Sequence, residues 1–482
     1  MEKILNFIGG ELVAPYSDNY IDNSNPATGE VYSILPDSTE KDVIKAVNAA
    51  KKAEAAWKRT TVAERSALMS KIADLIETNE ETLALVETND TGKPLHLSKT
   101  VDIPRAIANL RFFATAILHT TDEAYFSDHR AINLTKRHPL GVVACISPWN
   151  LPLYLFTWKI APALATGNTV VAKPSELTPA TAYLFSKICQ EANLPEGVLN
   201  IIHGYGVNAG APLTIHKDVA AVSFTGGTAT GKKIATACAD SFKKVSLELG
   251  GKNPFIVFED CDITQAVNTA VSASFSNQGQ ICLCSARILV HETCYEQFKS
   301  EFIKKVANLK LGDPLVPTTD IGAVISPDHA KKILNYIDLA KKEGGILLTG
   351  GEQVKVNGRC KSGNFISPTV FENLGANCRV NQEEIFGPVV TLTPFKDESE
   401  ALSLANNSKY GLAASVWTQS INRANKVAKA LKTGIVWVNC WMLRDLRTPF
   451  GGMKQSGVGR EGGNEALRFF TEAQNICIQY GE

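Results

Sequence analysis

Apolar residues recur three and four positions apart through EKDVIKAVNAAKKAEAAWKR and again through VAERSALMSKIADLIETNEETLALV. Good helix formers fill the gaps, so the spacing predicts helices over 40–88, and the same period predicts one over 100–120. From about residue 138 the rhythm changes. Short β-branched runs (GVVACISPW, NTVVAKPSE, GVLNIIHG, AAVSFTGG, KKVSLELGG) alternate with helical stretches such as LYLFTWKIAPALATG and TATGKKIATACA. That alternation is the signature of a parallel sheet built from βαβ units. It resumes after residue 250 with NPFIVFED, ARILVH, VVTLTPF, ASVWTQ and GIVWVN, separated by helical stretches near 262–275, 292–308 and 328–343. A second α/β domain is therefore predicted, with its boundary near ELGGKNP. The tail, NICIQYGE, alternates like an edge strand that needs a partner.

Composition narrows the class. A chain of 482 residues with 44% hydrophobic and 20% charged content reads as an ordinary globular protein. Lys+Arg and Asp+Glu number 49 each, and this balance argues against a dominant nucleic-acid or membrane-surface role. No apolar run reaches the length of a membrane span. The N-terminal MEKILNFIGGELVAPYSD is too short and interrupted in its apolar part for a signal peptide. The 11 cysteines are odd in number and scattered, which suits reduced thiols in a cytoplasmic protein.

Several short segments carry candidate chemistry. SFTGGTATG places Gly226, Gly227 and Thr228 where a strand gives way to a helix, and a helix start offers free N–H groups to phosphate. AKPSE supplies Lys173 for phosphate or ribose, and Glu176, whose carboxylate suits two ribose hydroxyls and repels a 2′-phosphate. SPWNLPL places Asn150 in a proline-stiffened loop, where its amide suits a developing oxyanion; a plain turn Asn is the commoner case. SLELGGKNP carries Glu248 among apolar residues, where a raised pKa suits general-base work or a structural ion pair. QEEIFGPVV offers Glu384 toward ribose hydroxyls. Arg105 and Arg111 in DIPRAIANLRFF, and Arg444 and Arg447 in WMLRDLRTPFGG, are either surface charges or forks for carboxylate.

NQGQICLCSAR holds Cys282 and Cys284 one residue apart. A metal site needs two further ligands and none lie close by, so no metal is expected. A disulfide across so short a gap is strained. Packing and nucleophilic roles both remain open from these residues alone.

In combination and order, SPWN, KPSE, FTGGTATG, ELGGKNP, NQGQICLCSAR, EEIFGPV and PFGGMKQSGVGRE make the chain resemble the aldehyde dehydrogenase superfamily along nearly its whole length. The resemblance implies an α/β fold with a Rossmann-like NAD-binding domain (1–115 and 139–250) and a second α/β catalytic domain (251–462). It also implies a small β oligomerisation arm (116–138 and 463–482) that builds a homodimer or homotetramer.

The family's Gly-Gln-x-Cys pattern, with an Arg five residues on, matches Gly279 to Cys282 and Arg287, and so implies Cys282 as nucleophile and Cys284 as bystander. It implies Asn150 and the Cys282 N–H as oxyanion donors and Glu248 as the base that hydrolyses a thioester. That Glu is missing from the acyl-CoA-forming branch. Cofactor contacts fall on Trp149, Lys173, Glu176, Gly226, Gly227, Thr228, Glu384 and Phe386. Many relatives carry Ser where this chain has Gly227, which removes one hydroxyl from the phosphate loop. Glu176 favours NAD over NADP.

The Arg105 and Arg444 segments look most like the hydroxymuconic and aminomuconic semialdehyde dehydrogenase branch, which implies an acidic semialdehyde bound through both arginines. The alternatives are a dehydrogenase for neutral or cationic aldehydes (aliphatic, retinal-like or betaine aldehyde), a thiol esterase, and an inactive relative.

Overall fold

The computed structural model describes residues 2–480; Met1 of the N-terminal segment and Gly481 and Glu482 of the tail lie outside it. The run 40–88 forms three helices, Glu40–Arg59, Val62–Thr78 and Glu80–Thr91. The second starts at a capping box in which Thr61 Oγ1 accepts from the Glu64 N–H at 3.2 Å and Glu64 Oε2 accepts from the Thr61 N–H at 2.7 Å. The expected helix over 100–120 is Ile103–Ala116, entered through a wider turn at Ser98–Asp102.

Two sheets organise the molecule. The first has a parallel core in the order Lys244–Glu248, Val219–Thr225, Val142–Ile146, Thr169–Lys173, Leu199–Ile201. Chain order reverses between Val142–Ile146 and Val219–Thr225. In open parallel sheets ligands bind in the crevice at the carboxyl ends of the strands beside such a reversal. SPWN follows one of these two strands and TGG follows the other.

Two features of this sheet were not read in the sequence. The N-terminal hairpin Asn6–Ile8 and Glu11–Val13 extends one edge, turning through Gly9 and Gly10 at φ 65° and 88°. At the other edge Gly457–Val458 pairs antiparallel with Leu247 and Glu248.

The second sheet runs Ile346–Thr349, Thr369–Glu372, Val389–Phe395, Ser285–His291, Asn253–Val257, Ala413–Trp417, Ile435–Val438, parallel except for the first strand. A third, small sheet pairs Thr471–Gln479 with Ala131–Pro139 and that strand with Glu123–Ser127. Among the described residues no helix is long and apolar enough to cross a membrane.

Helix Pro152–Ala165 is buried along its whole length. It packs against helix Ile103–Ala116 and starts from the SPWN loop. Pro152 in its first turn suits a helix start, where its missing N–H costs nothing. The catalytic loop is stiffened differently. Asn277, Gln278 and Gly279 take left-handed φ of 49°, 57° and 70°. For non-glycine residues that conformation costs about 1–2 kcal/mol each. Buried bonds offset the cost: Gln278 Nε2 donates to Ala323 O at 2.7 Å, and Asn277 Nδ2 to Asn150 O at 3.0 Å.

Candidate active site

One cavity of about 240 Å³ is lined by Trp149, Asn150, Thr225, Gly226, Gly227, Glu248, Cys282, Glu384 and Phe386, among others. Residues from five distant motifs therefore meet at the switch point of the first sheet, facing the loop that leads into the second.

Asn150 is buried, and its Nδ2 donates one hydrogen to Gln280 O at 2.9 Å. That bond fixes the amide plane and leaves the second hydrogen for an acceptor in the cavity. Its carbonyl accepts from Lys93 Nζ at 3.0 Å, and Lys93 in turn is paired with buried Asp102. Glu248 is buried, and among the described residues neither of its carboxylate oxygens has a hydrogen-bond partner. Burial first, and the nearby Glu461 second, push its carboxyl well above the usual carboxylate range, against the pull of Lys159, Arg460 and Arg444.

Cys282 is half-buried, and its thiol is pushed up to about 12, first by burial and then by Glu384 and Glu248; Arg444 pulls the other way. The side chain thus rests as a thiol, and a base must take its proton before it can attack as a thiolate. Cys284 is buried, and its Sγ faces Ser276 O at 3.7 Å, away from the cavity. Arg287 is structural: it donates to the carbonyls of Lys252, Leu404 and Ala405 at 3.0, 2.7 and 2.8 Å.

The nucleotide side of the cavity fits NAD. Gly227 caps helix Thr228–Ala239, a Cβ at Gly227 would meet open space, and the helix N-terminus with its free N–H groups opens beside the cavity. Buried Thr225 Oγ1 has no hydrogen-bond partner among the described residues. Lys173 Nζ and Glu176 Oε2 pair at 3.1 Å at the end of the adjacent strand. Glu384 lies against the two glycines of ELGG. Its Oε1 accepts from the Gly251 N–H at 2.9 Å, and a Cβ on Gly250 would sit 2.0 Å from its Oε2.

Two residues of this wall went unread in the sequence. His329 bonds Phe386 O at 2.7 Å and packs edge-on against Trp149 with ring centroids 5.3 Å apart, and Lys332 lines the same cavity. Lys159 and Glu461, paired at 2.7 Å beneath Glu248's strand, were missed as well. A lone Lys in an otherwise apolar helix was the available signal.

A second cavity of about 400 Å³ opens on the other side of the catalytic loop, lined by Arg105, Tyr154, Ile281, Trp441 and Met442, among others. The Arg105 guanidinium lies over the Tyr154 ring at 5.6 Å. Arg444 donates from Nη1 to the Tyr154 hydroxyl at 2.8 Å, with the rings of Phe450 and Trp158 at 4.0 and 5.4 Å. The other two candidate arginines lie elsewhere and are already paired: Arg111 with Asp74 and Glu77, Arg447 with Asp445.

Comparison with known proteins agrees with this geometry. The aldehyde dehydrogenase family pattern matches residues 13–476. The 2-aminomuconic semialdehyde dehydrogenase of Danio rerio is 47% identical over 98% of both chains. The 2-hydroxymuconic semialdehyde dehydrogenase of Pseudomonas sp. strain CF600 is 43% identical over 99% of this chain and 100% of its own. The NAD+ complex of an aldehyde dehydrogenase from Bacillus cereus superimposes with a TM-score of 0.97 at 40% identity, covering 100% of this chain and 97% of that one. The chain belongs to the aldehyde dehydrogenase family. It is an NAD-dependent enzyme that oxidises an aldehyde.

Proposed function

We propose that the protein oxidises an acidic, ring-cleavage-type semialdehyde, of the 2-hydroxymuconate or 2-aminomuconate kind, to the corresponding acid. One observation carries this reading. Arg105 and Arg444 flank one tyrosine beside the catalytic loop, and neither has an ion-pair partner among the described residues. Two guanidiniums left without a carboxylate suit a substrate that brings one. The muconic semialdehyde relatives agree with that chemistry.

In the reaction, Cys282 is the nucleophile. The Glu248 carboxylate accepts the thiol proton as sulfur bonds the aldehyde carbon, giving a thiohemiacetal. The oxygen that gains the charge is held by the free amide hydrogen of Asn150 and by the Cys282 N–H. Lys173, Glu176, Glu384, Trp149 and Phe386, with the Gly226–Thr228 helix start, hold NAD, which when bound accepts the hydride. Once Glu248 has released the first proton to solvent, water attacks the thioester on Cys282 and passes its own proton to Glu248; the C–S bond breaks, and the leaving sulfur takes that proton back to restore the thiol. A raised carboxyl suits both proton transfers, because its affinity for the proton is closer to that of its partners.

We also propose a cytoplasmic homodimer or homotetramer assembled through the three-stranded arm. Exposed Tyr125, Phe126 and Ile478 on its strands support that reading.

Steady-state kinetics on 2-hydroxymuconate semialdehyde and a neutral aliphatic aldehyde test the substrate class. Arg105→Ala and Arg444→Ala are each expected to lose about 1.5–3 kcal/mol of transition-state binding on the acid alone. Equal losses on both substrates, or none on the acidic one, count against it.

A further inference from the structure

Among the described residues Arg444 makes one hydrogen bond, and that bond directs it. A guanidinium carries five N–H donors, and the bond recorded here goes from Nη1 to the Tyr154 hydroxyl at 2.8 Å. The rings of Phe450 and Trp158 hold its faces and leave its rotation in the plane to that bond. The same tyrosine presents its ring to Arg105.

The Tyr154 backbone is fixed as well. Asn109 Nδ2, on the helix that carries Arg105, donates to Tyr154 O at 3.0 Å and to Thr157 Oγ1 at 3.1 Å. Tyr154 also stands one helical turn beyond Asn150, on the rigid segment that supplies the oxyanion donor. The aldehyde end and the acidic end of a substrate are thereby gauged from one stretch of chain.

We propose that Tyr154 is a positioning residue that determines specificity: its hydroxyl aims Arg444, and its ring sets Arg105, so that the two arginines converge on one carboxylate. This rests on the acidic-substrate reading above. It assigns the selectivity to a neutral side chain that acts through the two arginines.

The test is a double-mutant cycle of Tyr154→Phe and Arg444→Ala, with kcat and KM measured on 2-hydroxymuconate semialdehyde and on a neutral aliphatic aldehyde. Tyr154→Phe keeps the ring and removes the aiming bond. It is expected to raise KM for the acid about five- to tenfold, as one lost hydrogen bond does, with kcat and the neutral aldehyde unchanged. The double variant is expected to be no worse on the acid than Arg444→Ala alone.

Independent losses that multiply in the double variant would overturn the positioning claim. So would an equal loss on both aldehydes. An acid-specific loss in Arg444→Ala without one in Tyr154→Phe removes Tyr154 alone. No acid-specific loss in Arg444→Ala removes the carboxylate clamp, and Tyr154's role with it.

Discussion

Asn253 holds the backbone of Cys282: its Nδ2 donates to the Cys282 carbonyl at 2.7 Å and to the Cys284 carbonyl at 2.9 Å, while its Oδ1 accepts from the Ala413 N–H at 3.1 Å. One buried amide, at the start of a central strand of the second sheet, thus ties the nucleophile's loop to the neighbouring strand. It also explains how two cysteines in one loop take different places, since holding both carbonyls leaves Cys282 to line the cavity and Cys284 to turn inward.

Asn253→Asp is expected to be costly although it is nearly isosteric. A carboxylate cannot donate to the two carbonyls, and losing buried bonds to them costs about 1–3 kcal/mol. Denaturant melts should show that loss, and kcat should fall more than KM rises because the nucleophile is displaced. An unchanged midpoint and kcat would show that the loop holds itself.

The raised thiol of Cys282 has a direct signature in alkylation. Burial, Glu384 and Glu248 keep the proton on sulfur up to about 12. The reactive thiolate fraction should therefore rise about tenfold per pH unit, with no plateau through the mildly alkaline range. Iodoacetamide inactivation of the free enzyme between neutral and mildly alkaline pH reads this. Arg444→Ala removes a cation that favours thiolate and should slow inactivation at a given pH, whereas Glu384→Gln removes an anion and should speed it. A plateau near the pKa of an ordinary free cysteine would contradict the assignment.

The buried pair beneath Asn150 should be essential to stability. Lys93 and Asp102 are both buried, and Lys93 also donates to Asn150 O. Asp102→Ala leaves the ammonium with buried Glu87, 3.9 Å away, as its ion-pair partner and removes its hydrogen-bonded carboxylate, and is expected to cost about 3–5 kcal/mol in unfolding free energy. Calorimetry measures this, and a loss under about 1 kcal/mol would show that Lys93 finds another partner or loses its proton.

Much of this site was legible because its chemistry lies in contiguous motifs. None of Cys282, Glu248 and Asn150 is decisive within its own segment; the order of the separated motifs singles them out, and strand–helix alternation sets the Asn150 and Glu248 motifs at strand ends. Partners joined only by folding were not legible. Lys159 and Glu461 lie 302 positions apart, so their ion pair beneath the Glu248 strand is invisible in either segment. The four candidate arginines were equivalent as residues, and only the fold shows that Asp74, Glu77 and Asp445 occupy Arg111 and Arg447. The N-terminal strands are only three residues long, too short for a period to show; the Gly9–Gly10 turn was their one signal. The apolar neighbours of Glu248 signal its raised carboxyl, whereas the raised thiol of Cys282 follows from a burial that its polar loop does not report.

The most direct test of the account traps the covalent intermediate. Glu248→Gln enzyme is mixed with NAD and 2-hydroxymuconate semialdehyde, quenched in acid and analysed by intact-protein and peptide mass spectrometry. The account predicts one acyl group per chain, mapped to Cys282, formed slowly because the base that takes the thiol proton is gone and long-lived because the same carboxylate no longer activates water. The same adduct should form in a Glu248→Gln, Cys284→Ser enzyme. An adduct on Cys284, or undiminished turnover without any adduct, would contradict it.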